Sequence, residues 1–232
     1  MCRIELAAAY RVFALKGWND NVIVSAPMLA PVFLHYDEIT ASSLLTITED
    51  GDVINPGVVG DIFGVNKAGF IIHSALHRAR PDVRSVMHSH YAPAAGVSAQ
   101  RDGLKELAQT IHLLGPIAYH DYEGIVVDPA EEERLVADVG ESNTVFLRNH
   151  DVNTLGNSVG AALIQMDQLM LACELQTAAE AAGTDNLLTP PIDTIEKTYE
   201  VTRTFTGSAG FGIMEFCAMM RHLDKLDDSY RL

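Results

Sequence analysis

The chain is short of cysteine, of basic side chains and of long apolar runs. Its 232 residues include three cysteines, Cys2, Cys173 and Cys217. They are too few and too scattered for a disulfide framework or a cysteine zinc site, so a reducing compartment is the default. Lys and Arg number 16 against 31 Asp and Glu, a net charge of −15. Non-specific nucleic-acid binding needs clustered cations that displace counterions, and anionic membrane surfaces attract basic segments. The sequence therefore predicts neither partner. No stretch of about 18 uncharged apolar residues occurs; the quietest run, from Val159 to Cys173, is interrupted by Gln165, Asp167 and Gln168. Glu5, Arg11 and Lys16 leave no apolar core for a secretory signal. There is no G-x-G-x-x-G, no Walker loop, no internal repeat and no low-complexity tract. The expectation is a soluble, cytoplasmic protein.

What is present is ample core material: 48% hydrophobic and 20% charged residues, enough for one domain spanning 1–232. Helical periodicity covers 4–16, with Gly17 as its stop, and recurs from Ile71 to Arg80, Leu104 to Leu114, Pro129 to Val139, Val159 to Ala182 and Met214 to Leu226. Strand-like runs occupy Val22–Val24, Val32–Tyr36, Arg84–His88, Ile117–Tyr119, Ile125–Val127, Thr144–Leu147 and Val152–Leu155. A hairpin joins Leu44–Thr48 to Val53 and Ile54 through Gly51. From Gly183 the chain reads as a loop. Strands and helices mix without a regular βαβ alternation, so a three-layer sandwich is preferred over a doubly wound parallel sheet.

Nine histidines are present, and His88-Ser89-His90 is the informative group. It closes a strand-like run, and residues i and i+2 of a strand project from one face. Two imidazoles so placed can reach one metal ion. His150 is the candidate third ligand, because it too follows a predicted strand. Three neutral imidazoles leave an open position for water or substrate, as a catalytic zinc ion requires. Against this, histidines at such spacing are more often satisfied structural residues. His73 and His77, at i and i+4 of a predicted helix, lack the glutamate of H-E-x-x-H and read as packing or hydrogen-bonding residues.

The segment Asn66 to His90, NKAGFIIHSALHRARPDVRSVMHSH, resembles the class II aldolase/adducin family. So do YHDYEG at Tyr119–Gly124 and LRNHD at Leu147–Asp151. The ending MEFCAMMRHLDKLDDSYR, Met214–Arg231, is similar to the bacterial adducin-like branch. The resemblance implies an α/β/α three-layer sandwich around a mixed, mainly antiparallel sheet. It implies homotetramers with sites between subunits, and a divalent ion held by His88, His90 and His150. Zinc is the expected ion, with iron or manganese as alternatives. It further implies lyase chemistry, in which the ion polarises an oxygen while a carbon–carbon bond breaks.

The sequence departs from that family at instructive places. The sugar aldolases carry a catalytic glutamate four residues before the position of His73; here it is Gly69, which can neither move a proton nor bind metal. Glu123, Tyr119, His120 and Tyr122 are the candidate substitutes for acid–base work, although Glu123 also reads as an ordinary loop carboxylate. The phosphate-binding loop, at Gly17–Ala26, looks shortened and lacks its arginine, so a phosphorylated substrate is disfavoured. Asp151 stands where the family usually has glycine. Arg78, Arg80 and Arg84 read as a solvated face with a salt bridge to Asp82 rather than as a carboxylate clamp. Cleavage or decarboxylation of a small, non-phosphorylated oxo- or hydroxy-acid is the expected activity. The alternatives are a non-catalytic adducin-like interaction module and an iron-dependent oxygenase. Binding to actin or spectrin is disfavoured, because neither a neck nor a basic tail follows the domain.

Overall fold

A computed structural model describes residues 3–18, 23–25, 28–31, 34–48, 50–59, 67–124, 129–205 and 210–232. In chain order its main elements are α1 (Arg3–Lys16), β1 (Ile23–Ser25), β2 (Met28–Leu29), β3 (Leu45–Ile47), β4 (Val53–Asn55), α2 (Lys67–Ala79) and β5 (Ser85–Ser89). There follow α3 (Ala92–Ser98), α4 (Gln109–His112), β6 (Ile117–His120), α5 (Pro129–Val139), β7 (Thr144–Leu147), β8 (Asp151–Gly156), α6 (Val159–Glu180), α7 (Ile192–Phe205) and α8 (Ile213–Leu226).

Local chemistry sets several of these boundaries. Proline opens α5, where its missing N–H is not needed. Glu131 and Glu132 lie near the positive helix end, and Gly140 stops the helix at φ 50°. Ser158 caps α6, its hydroxyl accepting from the Ala161 N–H at 3.1 Å. The residues of β7 and β8 are buried throughout, as expected of central strands covered on both faces.

The main sheet runs β1-β5-β8-β7-β6, with β6 and β7 parallel and its other pairs antiparallel. Strands β2, β3 and β4 form a smaller antiparallel sheet, including the hairpin expected at Gly51. On one face of the main sheet, Val86, Val145, Leu147 and Leu155 pack with Ile72 and Leu76 of α2 and Leu135 and Val139 of α5. On the other, Met87, Phe146 and Val152 pack under α6 and α1. This is the three-layer α/β/α sandwich with a mixed, mainly antiparallel sheet.

Three sequence expectations need correction. The helix expected from Leu104 to Leu114 shortens to Gln109–His112, since the Leu104 N–H and the Gly103 carbonyl bond instead to Tyr119 and Gln176. The loop after Gly183 contains α7, which begins directly after Pro190 and Pro191, where proline is compatible with a helix start. The run expected at Val32–Tyr36 ends in a one-turn helix, Tyr36–Glu38, and residues 32–33 lie outside the described residues. The strand expected at Ile125–Val127 also lies outside them, as do residues 19–22 and 26–27 of the shortened phosphate loop.

The junction of β8 and α6 depends on a missing side chain. A Cβ on Gly156 would sit 2.9 Å from the Ser158 carbonyl oxygen and nearer still to the Ala162 nitrogen. Backbone atoms cannot rotate away as a flexible side chain can. Gly156→Ala is expected to cost about 2–3 kcal/mol through forced displacement of α6, read as a lower urea midpoint with an unchanged slope.

Candidate metal centre

The strand β5 places His88 on the face of the sheet covered by α2 and α5, and His90 follows two residues later. The chain returns to the same point through the turn after β7. There the Arg148 N–H bonds the His120 carbonyl at 2.8 Å, Asn149 takes the left-handed conformation at φ 54°, and the His150 N–H bonds the Leu147 carbonyl at 3.1 Å. The left-handed residue is thus Asn149, a type that tolerates it, and Asp151 is ordinary β8 backbone. Asp151 has a different function. Its Oδ2 accepts from the Tyr91 N–H at 2.8 Å, tying the residue after His90 to the residue after His150. Burial pushes the Asp151 carboxyl up to about 8.

The three histidine side chains converge. His90 Nε2 lies 2.8 Å from His88 Nε2 and 3.0 Å from His150 Nε2, and the ring centroids are 4.7–5.0 Å apart. Among the described residues, His88, His90 and His150 are the group whose ligand atoms can share one ion. The donor set fits a divalent metal on three counts. Nδ1 of His88 donates to the Val152 carbonyl at 3.0 Å, which leaves the Nε2 lone pair facing the other two rings. Burial, then the neighbouring rings, hold His88 well below the usual imidazole range; burial and His90 lower His150. Neutral nitrogens aimed at one another have too few protons to satisfy each other. A four-coordinate zinc with bonds of about 2.0–2.1 Å would hold them roughly 3.3 Å apart.

Beside the triad lies a cleft of about 290 Å³ including its open mouth; His120, Tyr122, Glu123, Glu131, Arg148 and His150 are among its walls. It brings together three of the four acid–base candidates. His120 is buried, its Nδ1 2.7 Å from Asp138 Oδ2 on α5. Glu123 is paired with Arg134, which holds its carboxyl below the ordinary value. Tyr122 is largely exposed. Tyr119 points away, because adjacent residues of β6 face opposite sides of the sheet. Its ring stacks on Phe146 at 5.4 Å and its oxygen accepts from the Leu104 N–H at 3.0 Å. Tyr119→Phe is therefore expected to cost about 1–2 kcal/mol, by stranding that N–H, and to leave zinc content unchanged. Urea denaturation and elemental analysis check both halves.

The arginines near the motif behave as surface and structural residues. Arg78 pairs with Glu132, while Arg80 clasps Asp82 and the Gly140 and Ser142 carbonyls. Arg148, to which sequence reasoning gave no role, lines the cleft but turns its guanidinium to the Tyr119 side of the sheet. Its guanidinium carbon sits 4.3 Å from the Tyr119 ring centroid, and Nη1 donates to the Gln100 carbonyl at 2.5 Å. Its place inside LRNHD, immediately before the His150 turn, was the available signal. Asp138 was also missed, and nothing in the sequence marks it. Gly69 falls in the first turn of α2, one turn ahead of buried His73, whose ring lies edge-on to His88 at 6.4 Å.

Comparison with known proteins converges on one family. Residues 4–177 match the family described as Class II Aldolase and Adducin N-terminal domain. The chain is 50% identical over 246 residues to an adducin-related protein of Schizosaccharomyces pombe, covering 99% of this chain and 76% of the relative. The crystal structure of an aldolase II superfamily protein from Pseudomonas syringae matches with a TM-score of 0.91 and 39% identity, over 100% of this chain and 95% of that one. An L-fuculose 1-phosphate aldolase from Glaciozyma antarctica shares the fold, with a TM-score of 0.86 at 24% identity, over 100% and 92% of the two chains. No helix among the described residues is long and apolar enough to cross a membrane.

Proposed function

Because the chain belongs to the class II aldolase and adducin family, we propose that it is a divalent-metal-dependent lyase cleaving a carbon–carbon bond of a small, non-phosphorylated oxo- or hydroxy-acid. The convergence of His88, His90 and His150 on one point, with the His88 tautomer pinned by the Val152 carbonyl, carries this reading. An ion held there, zinc in the first instance and iron or manganese otherwise, supplies positive charge beside the substrate oxygen that receives electrons as the bond breaks. The protein's own groups do the rest. The Arg148 guanidinium, held by Tyr119 and Gln100, braces the turn that carries His150. The burial of His88 keeps water from competing for the rear of the site. The same proposal takes 1–232 as one domain, working in the cytoplasm as a homotetramer with sites between subunits. Exposed apolar side chains such as Leu188, Ile192 and Met214 support a subunit face.

The test measures bound metal in the purified protein and in the variant with all three histidines changed to alanine, then follows release of pyruvate or carbon dioxide from a panel of hydroxy- and oxo-acids. Stoichiometric metal lost in the variant, with turnover lost in parallel, is expected. Equal, negligible metal in both proteins overturns the reading.

A second reading, a non-catalytic interaction module, is favoured by Gly69 in place of the aldolase glutamate and by the identity with an adducin-related relative. Stoichiometric metal without turnover on any acid of the panel, together with co-sedimentation with filamentous actin, is the result that would favour it.

A further inference from the structure

Resting on the lyase reading above, we infer that His120, positioned by Asp138, is the group that exchanges a proton with the substrate, in the place that Gly69 leaves without an acid. The pair is built from two elements the sequence keeps apart. His120 ends β6 and is 6% exposed; Asp138 lies near the end of α5, and its Oδ2 is 2.7 Å from His120 Nδ1. A carboxylate accepts only, so Nδ1 carries the proton, and Nε2 is left as a lone pair. That Nε2 is buried and has no hydrogen-bond partner among the described residues. An unpartnered buried nitrogen is costly, and one on a residue that lines a cleft is suited to a ligand that arrives later. Here the cleft is the one that His150 also borders.

The competing groups in the same walls are placed differently. Glu123 is paired with Arg134, and Tyr122 is open to solvent. Glu131 is buried in the first turn of α5, at the opposite end of that helix from Asp138. The His–Asp pair has the arrangement that activates an imidazole as a base and then stabilises it as an imidazolium. For retro-aldol cleavage the balance closes within the site. His120 Nε2 takes the proton of the substrate β-hydroxyl; the O–H pair forms the new carbonyl of one product. The electron pair of the broken carbon–carbon bond moves onto the other fragment, and the same imidazolium returns its proton to that fragment's carbon. No outside oxidant, reductant or proton is consumed.

Acetohydroxamate, a planar chelator that mimics an enediolate, serves as the probe. Zinc-loaded protein labelled with ¹⁵N at histidine is expected to show His120 as the Nδ1–H tautomer. Its Nε2 resonance should move on hydroxamate binding, and His120→Gln should bind the probe about tenfold more weakly, one lost hydrogen bond in a desolvated site, with zinc still bound. Asp138→Ala, at a half-exposed position, should fold normally, shift His120 toward the Nε2–H tautomer and weaken probe binding with zinc still bound, whereas a merely structural contact would change the tautomer and leave probe affinity unmoved. Glu131→Gln should leave probe affinity unchanged. An unmoved Nε2 resonance with equal affinity in His120→Gln overturns the assignment while leaving the metal reading intact. So does a loss confined to Glu131→Gln, or zinc binding without any hydroxamate affinity. Absence of zinc from the parent protein removes the lyase reading, and this inference with it.

Discussion

Replacing His90 with alanine is expected to abolish tight zinc binding, with a loss well beyond the roughly 10–100-fold that follows removal of a supporting hydrogen bond. His90 is the middle of the three: its Nε2 is 2.8 Å from that of His88 and 3.0 Å from that of His150. Without it, two imidazoles remain, fewer protein ligands than a catalytic zinc site uses. The stability consequence is separable from any structural one. Zinc at one hundred times its dissociation constant stabilises the parent by about 2.7 kcal/mol, and the variant should lose that increment. In chelator the order reverses or levels. Three imidazole nitrogens crowded together without an ion gain nothing from a third member; His90 disfavours protonation of both His88 and His150. Thermal midpoints of both proteins with zinc and with EDTA, alongside a zinc competition titration, give the four values needed. An equal zinc-induced shift in His90→Ala would place the ion elsewhere.

How much of this site could be read beforehand depended on whether its geometry is local. His88 and His90 were legible because the strand period alone puts i and i+2 on one face. His150 needed only the inference that a second strand ends nearby. The helices α5 and α6 were legible because caps and stops coincide with apolar periodicity: Pro129 and Gly140 bound one, and Ser158 opens the other. The segment from Leu104 misled because its apolar residues suit a helix while its backbone groups have better partners in Tyr119 and Gln176, which are distant in sequence. The helix α7 was hidden by Pro190 and Pro191, read as breakers although they precede a helix as readily as they end one. Tyr119 and His120 were grouped as one cluster, yet strand alternation sends them to opposite faces. The partner of His120 is Asp138, 18 residues away, and only the packing of α5 on β6 brings them together. Asp151 stands where the family usually has glycine, yet the left-handed residue of the His150 turn is Asn149, a distinction of register that needed the pairing of Leu147 with Asp151.

Acidification of the metal-free chain should unfold it through histidines far from the surface, His73 first among them. His73 is 1% exposed, and burial, followed by the charge of His77, lowers its imidazole to about 3. In the unfolded chain it titrates near 6.5. Above that pH both states hold the ring neutral and the group costs nothing. As pH falls from 6.5 toward 3, the unfolded state takes up a proton that the folded state refuses. Stability then drops by about 1.4 kcal/mol per pH unit from this residue, on the order of 4 kcal/mol over the window. His88, also buried and held well below its usual value, adds a second contribution of the same sign. His73→Leu keeps the apolar contacts of α2 and removes one of the titrating groups. Urea midpoints at pH 7, 6 and 5 in EDTA should therefore fall less steeply in the variant than in the parent, by about 1.4 kcal/mol per unit. The residual slope combines His88 and His150 with the opposing contribution of Asp151, whose raised carboxyl gains stability as the pH falls. Parallel slopes in the two proteins would show that His73 is protonated in the folded state, so that the buried layer between α2 and β5 admits a charge.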